Sequence, residues 1–61
     1  MAVPETFPDL PGWTFEVDEL SAGAFQVSAE RNGTHLFDFT GFDADLLLKR
    51  ARERAHAWEK L

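Results

Sequence analysis

The sequence predicts an α+β domain, a three-stranded antiparallel meander packed on one C-terminal helix. Three observations predict it. The stretches Trp13–Leu20, Ala24–Glu30 and Thr34–Thr40 each alternate apolar and polar residues, the period of a half-buried strand. Two short polar loops, Ser21-Ala22-Gly23 and Arg31-Asn32-Gly33, separate them and each ends in glycine. From Ala44 onward the apolar residues recur at three- and four-residue spacing instead, which is helical.

Residues 1–11 read as an extended arm ahead of a single βββα domain over residues 12–61. Pro4, Pro8 and Pro11 lack an amide hydrogen and push the residue before each toward extended geometry, so neither a helix nor an inner strand is expected. Val3, Phe7 and Leu10 give the arm apolar teeth, and the sequence leaves open whether it docks on the domain.

Asn32-Gly33 invites a two-residue turn with Arg31 opposite Thr34. That pairing throws Phe37 and Phe39 to the face opposite Phe25 and Val27, and because a one-residue slip inverts a face the pattern rules it out. A three-residue loop closed by a left-handed glycine restores the face in both hairpins. Leu20 then pairs with Ala24 and Glu30 with Thr34. Inward rows become Val17–Val27–Phe37, Phe15–Ala29–His35 and Glu19–Phe25–Phe39. Outward rows become Asp18–Gln26–Asp38, Glu16–Ser28–Leu36 and Thr14–Glu30–Thr34, a polar face rich in carboxylates.

Gly41 ends the third strand, and Asp43 is the expected N-cap, with Asp45 in the first turn where a negative charge suits the helix dipole. Leu47, Leu48, Ala51, Ala55 and Trp58 form the buried stripe. Lys49, Arg50, Arg52 and Arg54 flank or oppose it, and Leu46 points away from it.

With 61 residues the chain makes one domain whose core is marginal alone. Six Phe and two Trp still argue for a packed interior rather than disorder. There is no cysteine, hence no disulfide or thiolate zinc site, which fits a reducing compartment. The N-terminus shows no basic n-region and no apolar run, so neither a secretion signal nor a membrane span is expected, and the expected location is cytoplasmic. The net charge of −5 is unevenly spread. Residues 1–41 hold seven acidic side chains against Arg31, whereas residues 42–61 hold five basic and four acidic ones.

No residue set carries a catalytic or metal signature. His35 and His56 lack the further ligands a metal needs. Asp43-Ala44-Asp45 reads as a cap and a dipole partner, since calcium loops carry more oxygens at fixed spacing. Ser21 and Ser28 have no neighbouring base, and Asp18 and Asp38 flank Gln26 on an open face with no pocket to shift a pKa. The expectation is therefore a non-enzymatic protein with no cofactor and no evident small-molecule substrate.

The order strand, strand, strand, helix over residues 13–61 resembles the C-terminal part of double-stranded-RNA-binding domains. In that family a lysine cluster opens the second helix. Asp43 and Asp45 stand at those places here, so RNA binding is not carried over. The string Pro11-Gly12-Trp13-Thr14-Phe15-Glu16-Val17, then Ser21-Ala22-Gly23, then Thr40-Gly41 before an Asp-capped, leucine-rich helix, is similar to a family of small bacterial βββα proteins of unknown function. That resemblance covers residues 11–55 and implies no activity.

The leading expectation is a protein-interaction module that pairs with itself as a homodimer or with another protein. Leu36, Leu46 and Leu20 lack partners in the expected register, and Thr34–Thr40 is an open edge. The candidate interaction surface comprises Leu36, Leu46, Glu16, Asp18, Asp38, Arg50 and Arg54. The alternative is a nucleic-acid-associated regulator using the helix that bears Arg50 and Arg54. Glu53, Glu59, Asp43 and Asp45 interrupt its basic cluster. A third reading is an acidic mimic acting through Glu16, Asp18, Glu30 and Asp38.

Overall fold

The computed structural model describes residues 3–61. A single antiparallel sheet carries four strands in the order β1-β2-β3-β4. They are β1 (Val3–Glu5), β2 (Trp13–Ser21), β3 (Ala24–Arg31) and β4 (Thr34–Gly41), followed by the helix α1 (Ala44–Glu59). The α+β class and the C-terminal helix agree with the sequence reading; the strand number does not. The fourth strand comes from the arm, where Val3, Pro4 and Glu5 pair with Val17, Glu16 and Phe15. Proline is tolerated in β1 because it is an edge strand, where an absent N–H that faces solvent loses no ladder bond. Met1 and Ala2 of the expected arm, and the side chain of Val3, lie outside the described residues.

The β2–β3 ladder has the expected register from Trp13↔Arg31 to Glu19↔Phe25. Only its last rung differs. Ser21 pairs with Ala24, and Leu20 becomes the extra residue of a bulge.

The β3–β4 hairpin departs further. Arg31 does pair with Thr34 and Glu30 with His35, so the loop is the two-residue Asn32-Gly33 turn. Asn32 (φ 52°) and Gly33 (φ 85°) both sit at positive φ, as a type I′ turn requires. The face inversion is absorbed one step later. The ladder slips at Leu36, and Ala29 then pairs with Phe37, Val27 with Phe39 and Phe25 with Gly41. The expected three-residue loop, with Glu30 opposite Thr34, is thereby corrected, while Phe37 and Phe39 keep their inward face. Inward places shift along β4. His35 lies on the outward face opposite Glu30, and Phe37 takes the place beside Ala29 expected for it. Leu36, expected on the polar face without a partner, is half-buried and packs against the core.

The core comprises Leu10, Trp13, Phe15, Val27, Ala29, Leu47, Ala51 and Ala55. Trp13 stacks on Phe15 at 6.0 Å between ring centroids, and Phe37 lies 5.9 Å from Trp13. Asp43 caps α1, its Oδ1 accepting from the Leu46 amide at 3.2 Å. The fully buried Ala29, Ala51 and Ala55 have no side chain beyond Cβ, which lets α1 lie close over β3 with β2 and β4 to either side. At its C-terminal end Glu59 accepts from Trp13 Nε1 at 3.0 Å and Arg31 Nε at 3.2 Å, pinning the helix to β2 and β3.

Leu10 is only 2% exposed, so the arm contributes a core side chain. Leu10→Ala is expected to lower unfolding free energy in urea by about 2–5 kcal/mol, the usual cost of emptying a buried leucine site. A loss below about 0.5 kcal/mol would mean that the arm only rests on the surface. Gly33→Ala meets no neighbouring atom within 4 Å, so its cost is the backbone's alone. A loss of about 1–2 kcal/mol is expected for a residue held in the left-handed region.

Candidate functional site

Three ridges of side chains, each stepping by four residues, divide the surface of α1, because such steps nearly repeat the 3.6-residue turn. Leu47, Ala51 and Ala55 face the sheet and are buried. On one side Arg52 and His56 face the arm. His56 Nε2 lies 2.8 Å and Arg52 Nη2 3.5 Å from Asp9 Oδ2, and the Arg52 guanidinium sits 4.2 Å from the Phe7 ring centre. On the other side Leu46, Arg50, Arg54 and Trp58 make the third ridge. Trp58 meets Phe37 of β4 at 6.3 Å, so this ridge overlooks the β4 edge.

The arm therefore covers one flank of the helix and β1 covers the edge of β2. Among the described residues nothing covers the β4 flank in this way. Phe42 (85% exposed), Leu46 (45%), Trp58 (37%) and Leu61 (99%) all lie along it or at its ends. A shallow hollow of about 220 Å³ opens between Arg54, Ala57, Trp58 and Leu61. Inward-facing Phe37 and Phe39, 5.6 Å apart, are half-buried beneath the ridge. Leu20, the other large exposed apolar side chain, sits at the β2–β3 hairpin, away from this flank.

The structure divides the candidate residues between two faces. Leu46, Arg50 and Arg54 share the β4-side ridge. Glu16, Asp18 and Asp38 lie on the outward sheet face, as does Glu30, in rows Glu16–Ser28–Asp38, Asp18–Gln26–Thr40 and Thr14–Glu30–His35. Asp38 thus stands beside Ser28 rather than Gln26, and His35 Nε2 lies 3.4 Å from its Oδ2. Leu36 belongs to neither surface, because the two-residue turn sets it on the inward face, where it packs against the core.

The basic residues of the helix are also divided. Arg52 is engaged by Asp9 and Phe7, whereas Arg50 and Arg54 stand on the opposite flank. Phe42 and Leu61 are additions the sequence reading passed over, and Trp58 is more exposed than a core position implies. Phe42 did carry a signal. It precedes the N-cap, where a hydrophobic staple would fold it onto Leu47, yet its ring points to solvent.

Among the described residues no helix is long and apolar enough to cross a membrane. In comparisons with known proteins, no family model, no curated protein and no solved structure matches this chain.

The arm's latch has a definite pH sign. The hydrogen bond from His56, helped by the Arg52 charge, holds the Asp9 carboxyl below its ordinary value of 3.8. A lowered folded pKa adds stability that is present above the ordinary carboxylate value and is lost as pH falls through the folded one. Wild type should therefore melt above Asp9→Asn at about pH 6, and the gap should close by about pH 2. A gap that widens on acidification would contradict the latch.

Proposed function

We propose that this protein is a non-enzymatic interaction module that works through the flank formed by β4 and the Leu46–Arg50–Arg54–Trp58 ridge. One observation carries the reading. Phe42 and Leu46 at the start of α1, and Trp58 and Leu61 at its end, stand exposed on the open β4 side, while the opposite side of the fold is closed by the arm. Single apolar residues on a surface need no explanation, but two exposed pairs beside an unpaired strand edge mark a contact site.

The two edges are unlike each other. β1 has three residues and contains Pro4, both features that discourage further pairing. β4 has eight residues, Thr34 to Gly41, with no proline and no lysine. After the slip at Leu36 it is a regular strand from Phe37 to Gly41. Backbone donors and acceptors on its free side suit an extended partner segment, and the apolar ridge above suits that partner's side chains.

A photo-reactive amino acid in place of Leu46 tests the flank in living cells. The expected outcome is a discrete protein adduct from position 46 and none from Gln26, which stands on the outward sheet face. An adduct from position 26 alone, or none at either position, would overturn the reading.

A further inference from the structure

We infer that the occupant of the β4 flank is a second copy of this chain, joined by antiparallel β4–β4 pairing across a two-fold axis into one eight-stranded sheet. The inference rests on the interaction-module reading above and names its partner.

Backbone chemistry narrows the occupant first. A free strand edge is satisfied in full only by another strand, and an antiparallel pair of identical strands is self-complementary under a two-fold axis. The operation also places both helices on the same face, so each bare flank meets its equivalent. The β1 edges left at the two ends of the joined sheet are short and carry Pro4, so the assembly closes as a dimer rather than growing into a fibre.

Spacing agrees. α1 lies over β3, so in the joined sheet three strand intervals separate the two helix axes, about 14 Å at 4.8 Å per interval. Directly packed helices sit 8–10 Å apart, which leaves a trough about one layer of large side chains wide. The ridges of both protomers line that trough. Their antiparallel order brings the Leu46 end of one protomer to the Trp58 end of its partner. The aliphatic stems of Arg50 and Arg54 cover the middle and carry their charged heads up to water.

Area sets the expected strength. The eight residues of β4 span about 27 Å, and the molecule is 18 Å thick. That wall projects to roughly 480 Å² per partner, below the roughly 800 Å² of a standard interface, which suits a weak pairing that forms at micromolar concentrations. The pairing also relieves the marginal core of a 61-residue chain, because Phe37 and Phe39 become covered on their exposed sides.

Sedimentation equilibrium on the purified full-length chain is the test. At about 100 μM the wild type is expected at twice the 6.9 kDa of one chain. Leu46→Lys should raise the dissociation constant at least tenfold, while Leu20→Lys, on an equally exposed leucine away from the flank, should leave it unchanged. Both positions are exposed, so neither variant threatens the fold, and a far-ultraviolet spectrum confirms that. A monomeric wild type, or equal weakening by the two variants, would overturn the self-pairing. A monomer that still gives adducts from position 46 to another protein would remove the self-pairing alone. A chain with no adducts there would remove the flank reading too.

Discussion

The bulge at Leu36 reconciles two demands that conflict in a plain ladder. Asn32-Gly33 favours a two-residue turn whose twist matches the strands, and that turn sets Arg31 opposite Thr34. The core needs Phe37 and Phe39 on the same side as Val27 and Ala29. One extra residue in β4 meets both demands. The turn's register sends His35 outward opposite Glu30, near Asp38, and Leu36 inward; the bulge at Leu36 then keeps Phe37 and Phe39 inward and leaves a regular strand from Phe37 to Gly41 along the open edge.

The sheet carries one helix over its inward face, and the helix is not wide enough to cover it. Alanines at 29, 51 and 55 bring α1 close over β3, which commits the helix to the middle of the sheet. Both flanks then need a further cover. The arm supplies one, through buried Leu10 and the contacts of Asp9 and Phe7 with Arg52 and His56. Surface ion pairs of this kind are individually worth little, so Leu10 and the β1 ladder hold the arm, and Asp9 sets its position. The other flank has only β4 beside the helix and, among the described residues, no cover. The proposed interaction surface is in this sense what remains when one short helix and one arm serve a four-stranded sheet.

Much of the fold was legible. Seven rungs of β2–β3 followed from alternation and a glycine-closed loop, and the Asp43 cap and the Leu47–Ala51–Ala55 ridge followed from spacing. The second hairpin was not legible, because alternation fixes which face a residue takes and nothing more. Phe37 lies inward whether it pairs with Val27 or with Ala29, so a slide of two residues leaves no trace in the pattern. β1 was hidden by its prolines, which exclude inner strands but tolerate an edge. Leu46, Arg50 and Arg54 were singled out from sequence, but their alignment above β4 was not, since it depends on which helix flank meets which sheet edge. The Trp58–Phe37 contact on one side and the contacts of Arg52 and His56 with Asp9 on the other fix that.

The register of β3 against β4 underlies the flank, the place of Leu36 and the exposure of His35 together. Cross-strand nuclear Overhauser contacts measure it directly in solution. Backbone contacts linking Val27 with Phe39 and Ala29 with Phe37 are the predicted result. Contacts linking Val27 with Phe37 and Phe25 with Phe39 would restore the plain three-residue loop and contradict this account.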